Sequence, residues 1–371
     1  KMIAAAMAAM LVFTSVNMTD VNAEETALSV SGNTVVGAVE KDMESNTGEP
    51  EVENSEAENS DAETTDLEAE TTDLNAETAG THTYDKNGFC TDSGCDAYEP
   101  AVLTTGKYDI DANGEITDSD EAYEIGNAGQ LYWFAGLVNG TLTDGTAQNL
   151  KANAVLTADI TVNENLLASI KTDEDGNVTN GSSFKAWRPM GMADEKGYLT
   201  GWYTGIFDGN GYSIRGLYVN RDEAADDVNT WFISSIGLFG YYSGVTRNLS
   251  VIDSYMRGED CIGSICGYSD GGTIQNCYSA ATVCGDSYIG GICGSSEGDS
   301  IIKNSYNAGY VYGADGSIGG ICGDNSATLQ KCYNVGTVKG EFKVGGIVGG
   351  SFGSGNTIWL KDCYNRGSVI G

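Results

Sequence analysis

The chain has 371 residues and a formal net charge of -34 at pH 7, with 53 acidic side chains against 19 basic ones. This acidity argues against nucleic acid as a partner, because binding to phosphates requires basic side chains. A chain of this length has room for two domains, and its composition divides it unevenly.

The first residues have the composition of an export signal. Residues 3–13 form an apolar run of signal-peptide length, too short to span a bilayer. Val21 and Ala23 place small residues at positions -3 and -1, so we predict a signal peptide over residues 1–23 that is cleaved after Ala23. No later stretch is long and apolar enough for a transmembrane helix. We therefore expect the mature chain to be secreted or to lie at the cell surface.

Residues 24–83 are predicted to form a disordered acidic linker. Lys41 is the one basic side chain between residues 24 and 80, and a near-perfect heptad repeat at 62–75 offers only Leu67 and Leu74 as apolar groups. One apolar residue in seven cannot offset the loss of chain entropy, and the like charges repel one another.

Residues 84–120 are predicted to form a connector with two candidate sites. Cys90 and Cys95 enclose a short loop that a disulfide would close. A zinc knuckle that includes the upstream His82 is an alternative, although its three ligands are irregularly spaced. In the third alternative the two cysteines form neither bond.

The second candidate site of the connector is an acidic loop. Residues 109–120 match a calcium-binding loop at its positions 1, 3, 5 and 6. The predicted ligands are Asp109, Asp111, Asn113, Glu115 and Asp120. A hairpin that turns at Asn113 and Gly114, flanked by Tyr108, Ile110 and Ile116, is favoured over calcium because no helix precedes the loop. Besides the alternative zinc knuckle, calcium at this loop is the cofactor that the sequence leaves open.

Residues 121–230 are predicted to form an N-terminal capping subdomain. A short amphipathic helix is expected over 127–139, with Asn127 as its N-cap and Gly140 as its stop signal. Strands are expected at 154–160, 203–207 and 212–219. A helix that leads into strands suits a cap over the first coil of a solenoid.

A tetrapeptide returns five times in residues 231–371, at 237–240, 264–267, 291–294, 320–323 and 346–349. Its closing glycines are 27, 27, 29 and 26 residues apart, a period typical of stacked repeats. Each unit is predicted to contain a strand that ends at the glycine motif, a second strand such as 273–279, and a third short strand. Aligned valines mark the third strand, at Val283, Val311, Val338 and Val369. The pattern predicts an all-β, right-handed parallel β-helix with coils of about 27 residues.

These repeats resemble the GLUG-motif repeats of bacterial surface proteins. The companion motif Cys-Tyr at 277–278, 332–333 and 363–364 strengthens the resemblance, and so do the lead-in segments at 187–191 and 207–211. The resemblance implies a secreted or wall-associated, adhesin-like protein of a Gram-positive bacterium. Some members of this family carry the repeats ahead of a zinc peptidase that cleaves immunoglobulin A with a His-Glu-x-x-His helix, and nothing in this sequence matches that helix.

Most of the cysteines occupy positions that the repeat defines. Cys266, Cys293 and Cys322 form one column that a valine continues, so the position favours a small apolar group and we predict buried thiols. Cys261 and Cys284 fall at turn-like positions, and we predict that they are exposed.

A tyrosine column and scattered acidic residues are the remaining candidates for function. The column contains Tyr278, Tyr306, Tyr333 and Tyr364. It either binds sugar rings or stabilises adjacent coils, and the second role is favoured because the repeat places a tyrosine in every unit. The acidic residues, such as Asp286 and Asp324, are spread over the coils and predict solvated turns rather than a catalytic pair.

Together these features predict a non-catalytic, adhesin-like or spacer module whose partners are glycans, matrix or host surface proteins. The alternative is a targeting or scaffold region of a larger surface enzyme, a metallopeptidase or a carbohydrate-active enzyme, whose catalytic domain is absent from this chain. Because Gly371 falls inside a fifth coil, we expect the chain to be a fragment.

Overall fold

The computed structural model describes residues 82–174, 176–191, 201–221, 235–351 and 359–371. The predicted signal peptide, and the predicted acidic linker up to residue 81, lie outside the described residues. Within the described residues, no helix has the length and apolar character needed to cross a membrane. The boundaries predicted between connector, cap and repeats stay predictions.

The described chain winds into a parallel β-solenoid, in which each coil stacks strand on strand upon the one before. The predicted parallel β-helix is therefore confirmed. Its first sheet has nine strands, and only the first pair is antiparallel. In sheet order the strands are β1 (Val102–Thr105), β2 (Glu121–Ile125), β3 (Ala154–Leu156), β5 (Ile206–Asp208), β9 (Val245–Arg247), β13 (Thr273–Gln275), β17 (Ile301–Lys303), β22 (Thr328–Gln330) and β27 (Trp359–Lys361).

The second sheet has eleven strands and contains the predicted valine column. Val283, Val311, Val338 and Val369 pair in register on successive coils, as predicted. The strands in chain order are β4 (Ile160–Thr161), β6 (Ser213–Arg215), β7 (Tyr218–Asn220), β10 (Ser250–Arg257), β14 (Tyr278–Gly285), β18 (Tyr306–Asn307), β19 (Tyr310–Gly313), β23 (Tyr333–Asn334), β24 (Thr337–Gly340), β28 (Tyr364–Asn365) and β29 (Val369–Ile370).

Two shorter sheets close each coil, and the glycine motif lies between them. The third sheet contains β11 (Asp260–Ile262), β15 (Ser287–Gly290), β20 (Ile318–Gly319) and β25 (Val344–Gly345). The fourth contains β8 (Phe239–Tyr242), β12 (Cys266–Asp270), β16 (Cys293–Glu297), β21 (Cys322–Asn325) and β26 (Val348–Gly350). The prediction that a strand ends in the motif was wrong, because the motif forms the corner and the next strand begins at its third residue.

The closing glycine of the motif is required by the approach of two backbones. A Cβ atom at Gly294 would lie 2.4 Å from the backbone nitrogen of Ile262 in the preceding coil, and one at Gly323 would lie 2.5 Å from that of Ile289. No side chain fits at these distances, so the spacing of the motif follows directly from the stacking of the coils.

Helix α1 (Ala128–Asn139) covers the first coils. As predicted, the Asn127 side chain caps it by accepting a hydrogen bond from the Gln130 N–H, and Gly140 ends it in the left-handed conformation with φ of 66°. The predicted amphipathic character was wrong, because every residue of α1 except Gln130 is buried. The helix lies between the solenoid and the connector, so both of its faces are covered. A short helix α2 (Leu166–Ser169) and a 3-10 turn (Gly181–Ser183) were not predicted.

One continuous core runs through the solenoid and changes character along it. The first coils bury large aromatic side chains, among them Phe134, Tyr203 and Phe207, whereas the later coils bury aliphatic side chains and thiols. Cys266, Cys293 and Cys322 are fully buried in register, as predicted. The predicted exposure of Cys284 was wrong. It is 2% exposed because it points from β14 into a cluster with Tyr255, while Cys261 is partly exposed.

Candidate functional site

The predicted tyrosine column forms a continuous stack. In-register parallel pairing places Tyr278, Tyr306, Tyr333 and Tyr364 one above the other. The ring centroids lie 4.4, 4.6 and 5.1 Å apart, with interplanar angles of 30°, 7° and 3°. Ring faces in the middle of this stack contact other tyrosines, so a ligand would meet ring edges and hydroxyl groups.

The hydroxyl groups of Tyr278, Tyr306 and Tyr333 are neutral at physiological pH, because the pKa of each is raised. Burial, followed by the effect of the neighbouring tyrosine hydroxyls, raises the pKa of Tyr278 and of Tyr333 to about 12. Each hydroxyl can therefore both donate and accept a hydrogen bond, as sugar hydroxyls require. The geometry supports stabilisation of the coils directly and leaves a row of polar groups for binding.

A buried asparagine ladder runs behind the tyrosines, and sequence reasoning missed it. Asn307 donates from Nδ2 to Asn334 Oδ1 at 2.9 Å, and Asn334 donates to Asn365 Oδ1 at 2.7 Å. The Oδ1 atoms also accept from the backbone N–H two residues later, at Gly309 and Gly336. The signal in the sequence was the asparagine that follows Tyr306, Tyr333 and Tyr364, which is indistinguishable from an ordinary polar strand residue until the coils are stacked.

The opening glycine of the motif makes room for this ladder. A Cβ atom at Gly291 would lie 2.4 Å from Cγ of Asn307, and one at Gly320 would lie 2.5 Å from Cγ of Asn334. In the preceding coil Ser264 replaces the glycine and the smaller Ser279 replaces the asparagine. The two repeated motifs are therefore complementary in volume, which assigns both to packing between coils.

The acidic loop lies between β1 and β2. Asp109, Asp111 and Asp120 bring carboxylate oxygens within 4.8 Å of one another, and Glu115 lies outside this group. The predicted Asn113 turns its Oδ1 to the Glu115 N–H at 2.8 Å. Calcium binding here stays a prediction.

The predicted hairpin exists with different bounds. Strands β1 and β2 pair antiparallel and enclose residues 106–120, so the strands lie outside the segment from Tyr108 to Ile116. The turn at Asn113 and Gly114 is one part of this longer loop. Backbone N–H groups of the loop donate hydrogen bonds to aspartate carboxylates and not to the carbonyls of a partner strand. Gly114, for example, donates to Asp109 Oδ2 at 2.9 Å. Local side-chain bonds of this kind compete with strand pairing.

Arg247 of the solenoid binds both a carboxylate of its own sheet and the backbone of the acidic loop. Arg247 on β9 donates from Nε to Asp208 Oδ2 at 2.6 Å and from Nη2 to the Asp109 carbonyl at 2.9 Å. The side chains of the pair are only 10% and 14% exposed. The loop therefore has a defined position against the coil.

Cys90 and Cys95 are free thiols in the structure, rather than the predicted disulfide. Both sulfur atoms face the Nδ1 atom of His82, at 3.6 Å for Cys90 and 3.3 Å for Cys95. The connector thus brings together the three residues of the alternative zinc site.

The acidic residues of the coils are only partly solvated. Asp324 is 2% exposed on β21, so its predicted place in a solvated turn was wrong. The pKa of Asp260 is raised, first by burial and then by the charge of Asp286 on the next coil. These groups follow the period of the coils.

Comparisons with known proteins leave the family open. No family model matches the chain, and no curated protein matches it. A crystal structure of a "putative immunoglobulin A1 protease" from Bacteroides ovatus is similar, with 21% sequence identity and a TM-score of 0.47 over 69% of this chain and 78% of that chain. A likeness at this level carries neither an activity nor a substrate to this chain, and the GLUG family stays a prediction.

Proposed function

We propose that this chain is an exported, non-catalytic surface module that acts as an adhesin-like or spacer element. The observation that carries the proposal is the use of its repeated side chains. Each tyrosine of the stack packs on a tyrosine of the adjacent coil, and each asparagine of the buried ladder is hydrogen-bonded to an asparagine of the adjacent coil. In the described part of the chain, the characteristic residues of the repeats therefore pack one coil against the next and do not form a reaction centre.

Chemistry also argues against catalysis by the coils. Within the described ranges, the groups of histidine, cysteine and acidic residues that are close enough to share a metal ion both lie before residue 121, outside the repeats. His82 is the one histidine of the whole sequence, so a histidine base on the solenoid surface has no candidate. A rigid array of evenly spaced polar groups suits presentation or binding better than turnover.

The finer part of the proposal is that glycans bind along the hydroxyl row of the tyrosine stack. The test is a glycan array with the wild-type chain and the triple variant Tyr278→Phe, Tyr306→Phe, Tyr333→Phe. Phenylalanine keeps the ring stacking and removes the hydroxyls, so loss of binding is separated from loss of fold. Tyr312→Phe, outside the stack, is the matched control.

Four results are informative. Binding by the wild type and the control, but not by the triple variant, supports the glycan site. Equal binding by the triple variant rules out the hydroxyl row as the glycan site. If the folded wild type binds no glycan, only the spacer role remains. Cleavage of array glycans or of peptide substrates by the purified chain would refute the non-catalytic proposal itself.

A further inference from the structure

The connector in front of the solenoid contains a cluster of three metal-binding side chains that the proposed function does not use. His82, Cys90 and Cys95 come within 4.8 Å of one another through Nδ1 and two sulfur atoms. A tetrahedral zinc ion with bonds of about 2.3 Å to sulfur and about 2.0 Å to nitrogen separates these ligands by about 3.6 Å. The observed separations are 3.6 and 3.3 Å. The distance from the imidazole nitrogen to each sulfur is therefore close to the value that zinc requires, and the two sulfurs lie within 4.8 Å of each other.

The backbone places the ligands by antiparallel pairing. The Thr91 N–H donates to the Thr83 carbonyl at 2.8 Å, which sets His82 beside Cys90. The Cys90 N–H donates to the Ala97 carbonyl at 3.1 Å and turns the chain back, so Cys95 reaches the same point. Ligands held by a small ribbon of this kind are preorganised.

The ribbon is itself held against helix α1. The Gly129 N–H donates to the Asn87 carbonyl at 2.7 Å, and Asn127 Nδ2 donates to Glu99 Oε2 at 2.8 Å. Lys185 lies 4.2 Å from the centre of the Phe89 ring, which adds a cation–π contact from the cap. The position of the cluster therefore depends on contacts with the folded cap.

Polar groups surround the two sulfur atoms. The Ala97 N–H donates a hydrogen bond to Cys95 Sγ at 3.4 Å, and the Cys90 thiol donates to Asp92 Oδ2 at 3.5 Å. The imidazole Nδ1 points at both sulfurs, a role that it would lose in a disulfide. Since His82 is exposed, an ion can enter from solvent.

We propose that His82, Cys90 and Cys95 bind one zinc ion. Two thiolates and a neutral imidazole are the donors that zinc favours, whereas calcium and magnesium require oxygen. Binding converts two thiols to thiolates and releases two protons to solvent. Three protein ligands leave the fourth position for a water molecule. Bound zinc would tie the start of the described chain to the ribbon on α1.

Cobalt(II) and zinc(II) are the probes for this site. The 371-residue chain is reduced, freed of metal with a chelator and titrated with cobalt, whose thiolate charge-transfer and tetrahedral d–d absorption report on sulfur ligands. Zinc then displaces the cobalt and gives the affinity. His82→Ala and Cys95→Ser are the test variants. Cys261→Ser, which removes a partly exposed thiol of the solenoid, is the matched control.

The proposal expects one cobalt per chain with these bands in the wild type and in Cys261→Ser. In both test variants we expect the zinc affinity to fall at least about 100-fold, since loss of outer-shell partners alone costs 10–100-fold. Far-UV circular dichroism checks that the variants keep the solenoid. Absence of thiolate bands in the reduced wild type, or unchanged affinity in Cys95→Ser, would overturn the proposal. A Cys90–Cys95 disulfide found by mass spectrometry in the protein as secreted would also overturn it.

Discussion

Replacement of Asn334 by alanine tests whether the buried asparagine ladder stabilises the solenoid. Asn334 is fully buried and has four hydrogen bonds, to Asn307, Asn365 and both backbone groups of Gly336. The change leaves the Asn307 Nδ2 without its acceptor and the Gly336 carbonyl without its side-chain donor, whereas the Gly336 N–H keeps the Asn307 carbonyl at 3.3 Å. At about 1–2 kcal/mol for each unpaired buried group, we expect a loss of about 3 kcal/mol in the free energy of unfolding.

Hydrogen exchange measured by mass spectrometry is the suitable assay, because neighbouring coils of a repeat protein open partly independently. Amides of β22 to β24 should exchange about 100-fold faster in Asn334→Ala, since 1.4 kcal/mol corresponds to a factor of ten. Amides of β2 and β3, several coils away, should change little. Val335→Ala is the control because Val335 is the next residue and is 45% exposed. A change below about tenfold in β22 to β24 would contradict the reasoning.

Three further predictions concern charge. Arg247→Ala should destabilise the fold by about 3 kcal/mol in urea unfolding because it leaves the mostly buried Asp208 without its cation. Lys107→Ala, which breaks the exposed pair with Glu124, should change stability much less. Equal effects would show that burial does not decide the strength of these pairs. Because the pKa of Tyr333 is about 12 when folded and about 10 when unfolded, its contribution to stability is complete below pH 10 and is lost as pH rises through 12. Phenolate absorbance should therefore show a late-titrating tyrosine that is missing in Tyr333→Phe, and normal titration would refute this. Calorimetry should detect calcium binding that Asp109→Asn abolishes, and unchanged binding would rule out the acidic loop as the site.

The coils could be predicted from the sequence because stacking converts a one-dimensional period into contacts. Parallel strands in register place residue on like residue about 4.8 Å apart, so the valine and tyrosine columns of the sequence became columns of the structure. The cap of α1 was also predictable, since Asn127 and Gly140 act on their own local backbone.

The candidate sites depended on contacts that a period does not encode. Burial of Cys284 follows from the path of β14 past Tyr255, and burial of both faces of α1 follows from the connector folding back on it. His82 points toward both thiols because the ribbon that contains all three residues is packed on the cap.

The sequence by itself determined that this protein is a parallel solenoid and which residues repeat along it. Only the tertiary structure decided that the opening glycine and the asparagine of one coil share a single volume, as Gly320 and Asn334 do. The physical reason is that neighbours along a column are related by the repeat, whereas neighbours across the interior of a coil meet only when the corners have folded.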